Sequence, residues 1–207
     1  MTLRRSSIFT LLILLFASFL CFAEDLNSLK QEYEIRYYKN PNDPEILFNL
    51  MVLYGALGDL ENLYKCYKAL ERVNPNYLKD KAKENIQERD STLLSLYKTA
   101  FSYYFLGEID KAILYFEKIY SLKPRDDWVI AYLAYLYYLK DELEKTENLI
   151  NIGLKVNKDN EAFHALLCAL YLRKGRYFSA LKEYFITMDI VQRKGYKNIW
   201  EILKGLR

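Results

Sequence analysis

Apolar residues recur along this chain at alternating three- and four-residue steps, which draws one stripe down a helix rather than one face of a strand. Ile130, Leu133, Ala134 and Tyr137 form one such stripe; Leu47-Leu50-Met51-Tyr54, Leu96-Thr99-Ala100-Tyr103 and His164-Leu167-Cys168-Tyr171 repeat it. Tyr103, Tyr137 and Tyr171 lie 34 residues apart, and Gly107, Asp141 and Gly175 keep the same interval. So do Ala112, Thr146 and Ala180, and then Phe116, Ile150 and Tyr184. An upstream copy sets Tyr54, Gly58, Leu63, Tyr67, Val73 and Pro75 in the same relative positions. Each unit predicts two helices joined at the Gly or Asp position, with Pro75 and Pro124 where a second helix must stop. A single helix pair cannot cover its own apolar faces, so neighbouring units must stack.

The period and its phased residues resemble the tetratricopeptide repeat, whose pattern places a small residue, an aromatic and a terminal proline at these points. Ala112-Phe116-Pro124 is the fullest second half, and Ala180-Tyr184 repeats part of it. Departures occur: no Trp stands at its usual place, Leu63 and Thr146 replace Ala, and Lys158 replaces Pro. Leu63 is expected to widen the first helix pair slightly. The resemblance implies an all-α, right-handed α-solenoid. Repeats are expected at 44–77, 93–126, 127–160 and 161–194. Leu29, Tyr33 and Pro41 keep phase upstream, so 24–43 reads as the second helix of a partial repeat. Gly195 ends the last repeat; Tyr196, Ile199, Trp200, Leu203 and Leu206 form one stripe, so 195–207 reads as a capping helix.

The frame breaks once. Gly58 and Gly107 are 49 residues apart, a period plus 15, and the surplus at 78–92 carries balanced charge with no Gly or Pro. It reads as a charged helical insert, either extending the next helix or standing alone with Ser91 as cap. It is expected to project as a partner-docking element or to serve as a solvated spacer.

The first 23 residues form a separate segment: Arg4 and Arg5, an apolar run from Ile8 to Phe22, then Ala23 before Glu24. That is a secretory signal peptide, short for a membrane span of ~20 residues, with cleavage expected after Ala23. It implies export to the periplasm, assuming a bacterial envelope. Left uncleaved, residues 8–22 would make a membrane anchor. Leu20 before Cys21 argues against lipidation.

Composition narrows the function classes. Of 207 residues, 52% are hydrophobic and 20 are Tyr, with 7 Gly and 4 Pro, too few chain-breakers for a many-turned β fold. Net charge is +3, with no basic field of the kind a nucleic-acid binder carries. Beyond the leader, Cys66 and Cys168 fall in different repeats, which fits two buried thiols better than a bridge.

No catalytic constellation is visible, and no cofactor is implied. His164 is the sole histidine; it lies four residues from Cys168 on one helix face, at the repeat's own packing positions and without a nearby third ligand. The chain reads as a non-enzyme.

The resemblance implies that first helices line a concave groove. Transferred onto this frame, the groove residues are Tyr97, Phe101, Tyr104, Trp128, Tyr132, Tyr135, Tyr138 and Leu172, over a floor of Ala162, Ala165 and Ala169. Family members that hold a peptide carboxylate use Lys, Arg and Asn there, and this chain lacks them. An aromatic wall instead suits an amphipathic helix or apolar peptide with aromatic anchors. The reading is a protein-binding scaffold in envelope or secretion-complex assembly. The alternative is a self-associating array, with the groove filled by the capping helix or by a second copy in a homodimer.

Overall fold

The computed structural model describes residues 25–85 and 92–196. Among them are ten helices: α1 (Leu26–Lys39), α2 (Pro44–Ala56), α3 (Leu60–Val73), α4 (Tyr77–Asn85), α5 (Leu93–Phe105), α6 (Ile109–Leu122), α7 (Asp127–Leu139), α8 (Leu143–Val156), α9 (Glu161–Arg173) and α10 (Tyr177–Arg193). No strand occurs among the described residues. The fold is an all-α solenoid of stacked helix pairs: α2/α3, α5/α6, α7/α8 and α9/α10.

Each pair starts on a side-chain cap at the same repeat position. Asp43, Thr92, Asp126 and Asn160 accept hydrogen bonds from backbone N–H groups of the first turns of α2, α5, α7 and α9. Such caps satisfy donors that the helix itself leaves open. The turn inside each pair needs a left-handed residue. Gly58, Gly107 and Gly175 supply it at φ 75°, 76° and 67°, and Asp141 adopts φ 61° at the same place.

Burial follows the repeat phase. Ala100, Ala112 and Ala134 are fully buried, as are Ile119, Ile130 and Ile150, so paired helices approach closely. Two apolar cores result. Val129, Leu133 and Leu136 of α7 join a core that runs back to Leu26 of α1; Ile130, Ala131 and Ala134, on the other side of α7, join one with α8 and α9. The wider first pair expected from Leu63 meets a glycine: a Cβ on Gly55 would lie 3.1 Å from Leu63 Cδ1, so the missing side chain on α2 makes room for the larger one on α3.

The described part of the insert, through Asn85, takes one of the two expected forms, a helix of its own, but packs where projection or solvation was expected. α4 is a separate nine-residue helix, and Ala82 and Asn85 are buried, so it is packed rather than projecting. It lies along α5, a place that α6 and α8 fill directly against the helices following them. Asn85 Nδ2 reaches Ser102 Oγ at 3.4 Å. Glu45 of α2 accepts from Tyr77 Oη at 2.6 Å and pairs with Lys81 Nζ at 3.1 Å. The cap of α5 is Thr92, whose Oγ1 accepts from Ser95 N, and not Ser91, which lies outside the described residues.

Cys66 and Cys168 are free thiols, and burial pushes the Cys66 thiol up to about 12. The expected signal peptide and all of the capping segment beyond Tyr196 lie outside the described residues. No described helix is long and apolar enough to cross a membrane.

Candidate protein-interaction groove

Half of the expected groove residues are consumed by the fold. Tyr97 is 0% exposed and Phe101 is 7% exposed, so both are core residues and not lining. Tyr97 stacks on Phe101, and both meet Phe116 edge-on across the α5/α6 pair. Burial drives the Tyr97 hydroxyl far above its ordinary range.

Trp128 and Tyr132 are only partly buried, yet they too are engaged, by a contact that skips a repeat. The Tyr132 hydroxyl donates to the Gly55 carbonyl at 2.7 Å, 77 positions earlier in the chain. Trp128 lies so tightly on Gly58 that a Cβ there would sit 1.8 Å from its Nε1. The start of α7 therefore rests on the end of α2, with Phe101 of the intervening repeat held beneath, its ring 5.2 Å from that of Tyr132. This closes the groove across the first three repeats. Phe48 and Val52, which the repeat frame also puts on the concave side, are buried as well.

Four of the expected residues remain accessible, toward the fourth repeat. Tyr104 and Tyr135 face each other with hydroxyls 3.4 Å apart and rings 6.1 Å apart. Burial and then the Tyr104 hydroxyl push the Tyr135 hydroxyl up, so Tyr135 stays a neutral donor across the physiological range. Tyr138 carries the Arg173 guanidinium over its ring at 4.7 Å, and Arg173 is held there by the Asp141 carboxylate. Leu172 is 52% exposed. Beside them Ala162, Ala165 and Ala169 are half-buried. The open part is thus a shallow apolar trench with hydroxyl and guanidinium groups along one wall.

His164 takes no part in it. Its Nδ1 lies 2.7 Å from Glu183 Oε2 within the fourth repeat, and its Nε2 lies 2.9 Å from the Lys158 carbonyl oxygen at the end of the third, so both ring nitrogens are engaged. The described residues hold no group of three His, Cys, Asp or Glu side chains arranged to bind a metal.

One surface escaped the repeat arithmetic. On the outer side of α10, Phe178 is 93% exposed, Phe185 62% and Leu181 52%. Phe178 stands where the preceding two repeats carry Asp110 and Glu144, and Phe185 where they carry Glu117 and Asn151. Comparing repeats position by position, rather than only in their conserved phase, would have found it.

Residues 106–170 match the family model described as tetratricopeptide repeat. Tetratricopeptide repeat protein 21A from Homo sapiens is 30% identical over 82 residues, covering 40% of this chain and 6% of that protein. The chain spans only that small part of the curated relative. Among solved structures, a thermophilic tetratricopeptide-repeat protein in Thermus thermophilus is 21% identical, with 81% of this chain and 84% of that one covered at a TM-score of 0.47. A tetratricopeptide repeat protein from Parabacteroides merdae is 18% identical, with 86% and 77% covered at a TM-score of 0.49.

Proposed function

Because this chain is a tetratricopeptide-repeat protein, and its fold is that of a protein-interaction scaffold, we propose that it holds a helix or extended peptide of a partner protein in the trench of Tyr104, Tyr135, Tyr138 and Leu172. The observation that carries this reading is the trench itself: Tyr104, Tyr138 and Leu172, which share one repeat position, keep accessible surface together with Tyr135, whereas Tyr97 and Phe101 on the same concave side are buried. Such a surface favours apolar or aromatic anchors with a polar group placed to meet a tyrosine hydroxyl. The work is binding, not catalysis. The leader-like first 23 residues support an exported, periplasmic setting and a role in envelope or secretion-complex assembly.

Photo-crosslinking in cells from position 135 tests the proposal. A partner captured by the parent chain should be lost in Tyr138→Ala and Leu172→Glu variants with unchanged helicity. Capture that survives both variants would remove the trench from the binding surface. Phe101→Ala is a different case: as a core residue it should lower stability by about 3–5 kcal/mol.

A second reading, self-association, is favoured by Phe178, Leu181 and Phe185. They lie at positions i, i+3 and i+7, the spacing of a seam between two antiparallel helices. Sedimentation decides it: a dimer that Phe178→Glu converts to monomer supports the seam, and a monomer at all concentrations eliminates it.

A further inference from the structure

The link between α7 and α2 has a counterpart at the other end of α2. Tyr132 and Trp128 meet that helix where it closes, at Gly55 and Gly58. α4 meets it where it starts. Glu45 Oε2 accepts from the Tyr77 hydroxyl at 2.6 Å and pairs with Lys81 Nζ at 3.1 Å, and the Phe48 ring stands edge-on to Tyr77 at 6.3 Å. Asn49 Nδ2 steadies the same carboxylate from within α2, at 2.9 Å from Glu45 Oε1. Glu45 and Gly55 are separated by ~15 Å along the helix. So α2 is a rod gripped at both ends, by α4 at one and by α7 at the other.

α4 changes how the first pair meets the second. In later repeats the second helix of one pair packs on the first helix of the next, α6 on α7 and α8 on α9, whereas α5 packs on α4. α4 therefore adds one helix spacing, ~8–10 Å, between α3 and α5 on the outer side of the stack. On the inner side α2 and α5 still pack directly. A stack that is thicker outside than inside at one junction bends inward there. That bend carries the end of α2 over Phe101 toward α7, and a rigid helix passes a displacement of one end on to the other.

α4 is held by its seat alone. It has nine residues, fewer than the ~12–15 at which a helix becomes even marginally stable by itself. Ala82 and Asn85 are its buried positions, and the Asn85–Ser102 hydrogen bond is long at 3.4 Å. Its other face, with Lys79, Asp80, Lys83 and Glu84, is exposed. Unseated, such a segment melts.

We infer that α4 is a prop that sets the tilt of α2: seated, it closes the groove of the first three repeats through the contacts of Tyr132 and Trp128 with α2, and unseated, it lets that groove open. The prop stands apart from the partner reading, whose trench lies toward the fourth repeat. The full chain carrying Trp200→Phe and labelled with 5-fluorotryptophan gives one fluorine resonance, from Trp128. Ala82→Glu forces a charge into a fully buried position and unseats α4, and the solvent isotope shift of Trp128 should rise with it. Tyr77→Phe with Lys81→Ala cuts only the two bonds to Glu45; it should act in the same direction and decides the matter should Ala82→Glu fail to fold. Lys79→Ala, on the exposed face, should leave Trp128 unchanged. Linkage requires the converse: Tyr132→Phe should quicken amide exchange in α4, three helices back along the chain, by up to ~10-fold, the most that one hydrogen bond is worth. A Trp128 as protected in the α4 variants as in the parent overturns the prop. So does α4 exchange that Tyr132→Phe leaves unmoved. Release of Trp128 by Lys79→Ala as large as by the other variants overturns it as well, since the effect would then be general loosening.

Discussion

The ring of Phe163 occupies the space over Gly153. A Cβ added to that glycine would lie 2.0 Å from Phe163 Cζ, and Phe163 is fully buried. One repeat earlier the two positions are Ile119 and Val129, both fully buried. The same interhelix space is filled from one side in one repeat and from both sides in the other. Gly153→Ala should therefore destabilise although alanine is the better helix former: overpacking costs ~1–3 kcal/mol against a propensity gain of ~1 kcal/mol. Adding Phe163→Val should recover most of the loss, as chemical denaturation of the single and double variants would show. Equal midpoints for Gly153→Ala and the parent would mean the ring can move aside.

Tyr132→Phe removes only the hydroxyl that reaches the Gly55 carbonyl. The expected cost is ~0.5–1.5 kcal/mol, the net worth of one hydrogen bond. Amide exchange should quicken across both α2 and α7, although the substitution lies on α7 alone. Exchange altered only around position 132 would show that the link between first and third repeats carries no stability.

Asp126 caps α7, but burial is the largest influence on its carboxyl and holds its pKa above the ordinary value, against the Val129 and Trp128 N–H groups that it accepts from and Lys123. A carboxyl whose pKa is raised by folding favours the protonated protein, so its stabilising contribution is present at low pH and is lost as pH rises through the folded value. Asn160 fills the equivalent place as a neutral cap. Asp126→Asn should thus raise the melting temperature at pH 7, with the gain shrinking as pH falls through the carboxylate range. A gain independent of pH would assign the effect to something other than the charge.

Asp141 stands at φ 61° where three other repeats have glycine. The left-handed conformation costs a side-chain-bearing residue ~1–2 kcal/mol, somewhat less for Asp. Its carboxylate holds Arg173, but that pair is exposed and worth ~0–1 kcal/mol. Asp141→Gly should stabilise by up to about 1 kcal/mol in thermal unfolding. It should also loosen Arg173 from the ring of Tyr138, which ties a stability change to the trench wall.

The helix pairs were legible because their determinants are local and periodic: a cap, a stripe, a left-handed turn residue, each returning with the repeat. Even there the cap of α5 is Thr92, whose Oγ1 accepts from an open N–H, a matter of geometry that composition does not encode. The groove was only half legible. Tyr97 and Tyr135 look alike in the sequence, both aromatic on a first helix, yet one is sealed beneath neighbours and the other remains accessible. What separates them is the approach of α7 to α2, which depends on the Tyr132 hydroxyl reaching the Gly55 carbonyl and on Gly58, whose missing side chain admits Trp128. No residue in the second repeat announces that its neighbours will meet over it.

That meeting has a mechanical consequence. A solenoid whose units touch only in succession behaves as a spring and lengthens by small rotations at every junction. With α7 fastened to α2, the first three units form a closed coil that cannot extend without breaking the Tyr132–Gly55 link. Pulling on the ends should be met stiffly there, and the give should be concentrated at the junction between the third and fourth units, where the trench opens.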